Sequence, residues 1–148
     1  MKTAFYIILG ICAIAAAGFF LIFPGYYFPL RSNWGVELPI MAGLYLESKT
    51  DTGPSPHGDG IRYHRYSYKY EDFIDLMFAW GGTEKEALYG KTLRESAEEW
   101  MGALEVPAEK RPGYESCLAW HKVKPDNSQI IIIWESERNL LHILENFI

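Results

Sequence analysis

Residues 129–148 read QIIIIWESERNLLHILENFI. Four successive isoleucines, Ile130 to Ile133, leave no polar side chain for a solvent face. A short β-branched run of that kind predicts a central strand over 129–134, covered on both sides. The turn residues Pro125-Asp126-Asn127-Ser128 precede it, and 116–124 reads as the strand before that turn. The tail admits two readings. Leu140, Leu144, Phe147 and Ile148 fall at helical spacing, with Ser136 as a cap. Alternatively, 135–139 is a hairpin loop and 140–147 a last strand. Periodicity alone slightly favours the helix.

Upstream, residues 40–49 form a plausible strand and 50–60, TDTGPSPHGDG, a loop rich in glycine, proline and aspartate. From Ile61 to Tyr70 the pattern has period two. Arg62, His64, Tyr66, Tyr68 and Tyr70 share one face, and Ile61, Tyr63, Arg65, Ser67 and Lys69 the other, which suits a strand exposed on one side. The segments flanking the loop are expected as antiparallel neighbours. Residues 71–104 read as two or three short helices. Thr83 with Glu86 and Thr92 with Glu95 are capping-box patterns, and Leu93, Ala97, Trp100, Met101 and Leu104 form an apolar stripe. Trp34, Val36 and Leu38 alternate, as a first edge strand would. The predicted class is α+β: an antiparallel β-sheet packed against short helices, preceded by one transmembrane helix.

That helix is predicted from residues 3–23, TAFYIILGICAIAAAGFFLIF, 21 residues without a charge. As a helix they span about 31 Å, the thickness of a bilayer core. Pro24-Gly25 ends the run, and Tyr26, Tyr27 and Phe28 resemble an interfacial aromatic belt. A cleaved signal peptide and a lipoprotein signal using Cys12 are the competing readings. The domain division is 1–24 anchor, 25–39 juxtamembrane linker and 40–148 a small extracytoplasmic domain. Lys2 at the amino end weakly favours a cytoplasmic N-terminus and a domain on the outer side of the cytoplasmic membrane. Lys2 is the sole charge before Pro24, so the remainder carries 13 basic and 19 acidic residues, a formal charge of −6. An acidic domain argues against nucleic acid, whose phosphates ask for a basic face. Cys12 lies in the apolar run and Cys117 far downstream, so no internal disulfide is expected, and Cys117 reads as a small core residue.

The strongest chemical cluster is His57 with Asp59 and Asp51, in one glycine-rich loop. An imidazole and two carboxylates suit Zn²⁺ or Ca²⁺ by type, but their spacing matches no standard site. The plainer reading is an Asx-turn at Asp59, with Gly58 and Gly60 supplying positive φ. His64 can approach His57 where the loop folds back. Tyr66 and Tyr68 continue its face, either as a row that stacks a ligand or as ordinary core. His121 and His142 read as isolated packing or polar-face residues. No nucleophile elbow and no phosphate-binding loop is present, so no catalytic residue, no metal site and no cofactor is assigned.

The segment ESKTDTGPSPHGDG resembles a motif of small exported proteins and lipoproteins of Gram-positive bacteria, an uncharacterised family with a His-Gly-Asp-Gly loop between two early strands. WMGALEVP, residues 100–107, is loosely similar to their tryptophan-containing stretch after a short helix. Their end is similar to IIIIWESERNLLHILENF, as strand, acidic turn and strand. The resemblance therefore implies a strand over 140–147. Here Gly53-Pro54-Ser55-Pro56 replaces the usual early histidine and glycine, and an anchor replaces the lipoprotein cysteine. The family carries no assigned activity. Two function classes follow. One is a non-catalytic interaction protein that holds a protein or cell-envelope ligand, of which an immunity-type inhibitor is one example. The other is a metal-dependent or hydrolytic module using His57, Asp59 and His64.

Overall fold

A computed structural model describes residues 6–10, 12, 26–38, 44–52, 59–69, 86–87, 91–115 and 117–148. Most of the 3–23 run, the loop tip with His57, and the helices expected over 71–90, apart from Glu86 and Ala87, lie outside the described residues. Six strands make one antiparallel sheet: β1 Leu44–Asp51, β2 Gly60–Tyr68, β3 Glu86–Ala87, β4 Cys117–Val123, β5 Gln129–Glu135 and β6 Leu140–Phe147, in spatial order β1-β2-β6-β5-β4-β3. Residues 6–10 are helical, and two further α-helices lie within the domain, α1 Tyr27–Trp34 and α2 Lys91–Ala103. The architecture is α+β.

β5 runs between β4 and β6, and its four isoleucines are at most 1% exposed. Ile130, Ile132 and Trp134 join Leu30, Trp34, Val36 and Leu38 of the N-terminal segment in one hydrophobic cluster. Ile131 and Ile133 join Ala97, Trp100, Met101 and Leu104 around α2 in a second. The sheet therefore has a helical layer on each side, and the expected stripe on α2 is buried as its spacing requires.

The tail is strand. β6 pairs with β2 on one side and with β5 on the other. A short 3-10 turn, Ser136–Arg138, and Asn139 at φ 51 turn the chain into it. Leu140, Leu141, Ile143 and Leu144 serve both clusters or their margins, so neither face of β6 is polar enough to show a period of two.

Three expectations are corrected. First, the stretch divided off as a linker over 25–39 is part of the core. Tyr27–Trp34 is helix, ended by Gly35 at φ 74, and Leu30, Trp34, Val36 and Leu38 are buried. The Trp34-Val36-Leu38 alternation marks the end of a helix and an extended tail, not an edge strand. Second, β2 is covered on both faces: Tyr63, His64 and Tyr66 are 0% exposed. Its aromatic residues and histidine hid that, because both types serve on surfaces as readily as in cores. Third, Glu86 is in a two-residue strand that pairs with Ala119 and Leu118 of β4, not in a helical cap. Sheet pairing outweighs a local capping pattern worth about 1 kcal/mol.

Replacing Leu30 by Ala should destabilise the domain by about 3 kcal/mol, the usual loss for a buried leucine. Ser32→Ala, on the exposed side of the same helix, should change stability by less than about 0.5 kcal/mol. Urea unfolding of the two variants checks that α1 belongs to the core.

Candidate functional site

β1 and β2 bring the two ends of the glycine-rich loop together. The neck is closed by Thr52, whose backbone N–H donates to the Ile61 carbonyl at 3.0 Å and whose Oγ1 accepts from the Ile61 N–H at 3.1 Å. Gly60 stands at φ +128, and a Cβ there would fall 2.2 Å from Thr52 Oγ1, so glycine is required. Asp59 is exposed beside this neck. Thr52 closes the neck; residues 53–58, which the Asx-turn expected of Asp59 would shape, lie outside the described residues. Asp51 pairs with Lys49 at 3.4 Å. His57 lies outside the described residues. Among the described residues no three His, Cys, Asp or Glu side chains are grouped to hold a metal ion.

His64, Tyr66 and Tyr68 do share a face, but it is an interior one. His64 stacks on Tyr26, with ring centroids 3.8 Å apart, and lies 6.3 Å from the Tyr66 ring. Tyr68 meets Trp134 edge-on at 6.0 Å. Neither nitrogen of His64, nor the hydroxyl of Tyr66, has a hydrogen-bond partner. Burial, reinforced by the Lys49 and Arg62 charges, pushes the His64 imidazole down to about 3. It is therefore a neutral ring at physiological pH.

Beside it stands a cluster that no sequence spacing announced. Glu145 of β6 is fully buried. Its Oε2 accepts from the Tyr26 hydroxyl at 2.5 Å and its Oε1 from Trp34 Nε1 at 2.6 Å. Arg62 Nη1 donates to the Tyr26 oxygen at 3.1 Å. Burial raises the Glu145 carboxyl above the usual range, while the Tyr26 and Trp34 bonds and the Arg62 charge pull it back. The one available signal was a glutamate set among the aliphatic residues of LLHILENF.

On the opposite face a second polar line runs through the core. Glu135 of β5 accepts from Arg138 Nη1 at 3.2 Å and meets His142 Nε2 at 3.3 Å. His142 Nδ1 is 2.8 Å from the Tyr63 hydroxyl, which donates to the Lys110 carbonyl at 2.5 Å. Burial lowers the His142 pKa, against the pull of Glu135. Burial alone would raise the Glu135 carboxyl, but the His142 bond and the Arg138 charge outweigh it and hold it ionised. With His142 neutral and Nε2–H facing Glu135, the single Tyr63 proton serves two acceptors. A proton added at Nδ1 would release the Tyr63 proton to Lys110 alone. The line thus accepts a proton without rearranging. His142 is no isolated packing residue. Glu135 also borders an open cleft of about 260 Å³ lined by Gly113, Tyr114, Glu115, Glu135 and Glu137. Cys117 is buried and unpaired, its thiol pushed up to about 11 by burial, as expected of a core residue.

Compared with protein-family models, with curated proteins and with solved structures, the chain gives no significant match.

Two substitutions test these clusters. His64→Phe keeps the stack on Tyr26 and removes two unpartnered nitrogens, so stability at pH 7 should rise by about 1 kcal/mol. The unfolded chain protonates His64 near 6.5 and the folded one near 3. The wild type should therefore lose about 1.4 kcal/mol per pH unit, relative to the variant, as pH falls between those values. Glu145 titrates with the opposite sign in both proteins and cancels in the comparison. At Gly113 an added Cβ would lie 2.9 Å from Glu135 Oε1. Gly113→Ala should displace that carboxylate, lower stability by about 1–2 kcal/mol and shift the His142 imidazole resonances.

Proposed function

We propose that this chain is a membrane-anchored, non-catalytic binding protein, with its α+β domain on the outer side of the cytoplasmic membrane and a protein or cell-envelope component as its ligand. The observation that carries the anchoring is the state of Tyr6, Ile7, Ile8 and Leu9. They are consecutive in a helix, and each is between 56% and 67% exposed. Four neighbouring residues point to every side of a helix, so the exposed apolar surface runs round this piece. Large apolar side chains bare all round suit lipid as their solvent. The sequence run 3–23 supplies the length. Among the described residues no helix is long and apolar enough to cross a membrane.

The non-catalytic part of the reading is supported by His64. A catalytic imidazole must reach its substrate, and this one is sealed under Tyr26 at 0% exposure. Asp59 is exposed at the surface, just before the start of β2. The polar groups of the core are used to join elements, which suits a rigid scaffold that presents a surface. The resemblance to small exported proteins with a His-Gly-Asp-Gly loop points to the same location.

Fractionation decides the anchoring. The full chain should stay with membranes through high salt and alkaline carbonate. In sealed cells, added protease should remove the domain. Recovery in the soluble fraction would defeat the anchor, and a protected domain would reverse its orientation.

A further inference from the structure

The N-terminal segment and the core meet with no slack between them. The apolar run ends at Phe23, and Tyr26 is already bound inside the domain, stacked on His64 and bonded to Glu145 and Arg62. The three steps from Phe23 to Tyr26 span at most about 10 Å. A headgroup layer is roughly 5–7 Å thick on each side of a bilayer. The part of the domain around Tyr26 thus has nowhere to be except at the headgroups.

That part can be named. Tyr26 before α1 and Trp34 at its end both bond to Glu145, so α1 crosses the sheet at the level of that residue. Glu145 is near the end of β6, and Arg62 near the start of β2, its register partner. Cations and aromatic rings alternate along this end. Lys49 Nζ is 6.0 Å from the Tyr26 ring, Arg62 is 4.6 Å from the Phe147 ring, and Lys124 Nζ is 5.7 Å from the Phe147 ring and 4.4 Å from the Trp34 ring. Asp51 and Glu37 answer Lys49 and Arg31 in surface pairs. Val123 and Ile148, both more than half exposed, stand at the same end of the sheet. Interleaved rings, cations and bare aliphatic groups are the chemistry of a lipid interface. At the other end of the strands is the Glu115, Glu135 and Glu137 cleft. The eight residues of β6 separate the two ends by about 25 Å.

We infer that the α1 end of the domain is a lipid-contacting surface, with Lys49, Arg62 and Lys124 facing headgroup phosphates, and that the carboxylate-lined cleft is held at the opposite pole, turned away from the bilayer. This rests on the anchored reading, and the experiment separates the two. The full chain carrying Cys12→Ser receives one labelling cysteine, Ser32→Cys on α1 or Glu137→Cys beside the cleft. Cys117 is buried and stays unlabelled. Each fluorescent protein is reconstituted into phosphatidylcholine vesicles, with or without phosphatidylglycerol, that contain a headgroup-linked quencher. Quenching should be severalfold stronger at position 32 than at 137. Lys49→Gln with Lys124→Gln should weaken quenching at 32 in the anionic vesicles and leave it unchanged in the neutral ones. Chains that float with the vesicles but quench equally at both positions would overturn the inference and leave the anchor standing. Quenching indifferent to the lysine changes would overturn the assignment to phosphates. Chains that do not float after a carbonate wash would overturn the anchor, and the inference with it.

Discussion

A carboxylate in the middle of a hydrophobic cluster holds the two ends of this chain together. Glu145 has no access to water, and moving an unpaired carboxylate into such surroundings is prohibitive. Here both oxygens are used, one by Tyr26 and one by Trp34, from 119 and 111 residues away. Hydrogen bonds to a carboxylate are the strong ones, and with the Arg62 and Lys124 charges they offset part of the rise that burial imposes on the carboxyl. Remove either donor and a buried charge is left half-satisfied. The position of α1 on the sheet is therefore set by a directional constraint, with the contacts of Leu30, Val36 and Leu38 filling in around it.

The second face is organised in a similar way. Glu135, His142 and Tyr63 come from three strands and converge between the α2 layer and the sheet. Arg138 stands over the ionised carboxylate from the turn that joins β5 to β6. In both clusters a glutamate from the C-terminal hairpin is the acceptor. The hairpin thus does more than fill the centre of the sheet: it supplies the polar fixed points against which the covering segments are located. His64, like the Tyr66 hydroxyl, is an exception. Its ring is packed and its nitrogens are idle, and nothing in the fold explains why an apolar ring does not stand there.

Much of the frame was legible in the residues. The isoleucine run, the Pro-Asp-Asn-Ser turn and the α2 stripe each carry a pattern that local chemistry makes unambiguous. The tail did not, because a strand buried on both faces has no periodicity to display. The 25–39 stretch misled for a different reason. Proline, glycine and tyrosines after an apolar run look like an interfacial spacer, while Leu30 and Trp34 are core residues only because Glu145 is there to receive the segment. The polar clusters were not legible at all. Glu145 with Tyr26, and Glu135 with His142, are made by sheet register, and one sequence contains no record of register. The loop with His57 and Asp59 drew attention by its composition; among the described residues, the polar side chains that the fold draws together are those around Glu145 and Glu135.

The bonds of Tyr26 also fix how the domain would bear a load. A pull on the N-terminal segment enters at Tyr26 and passes through its phenol to Glu145, and so to β6. That strand is hydrogen-bonded along both edges, to β2 and to β5. The tension is delivered to a strand braced along both edges, while β1 and β3 at the margins are bypassed. Stress entering there would be spread across many backbone bonds at once, and the first link to fail would be the phenol–carboxylate contact at Tyr26, not the sheet.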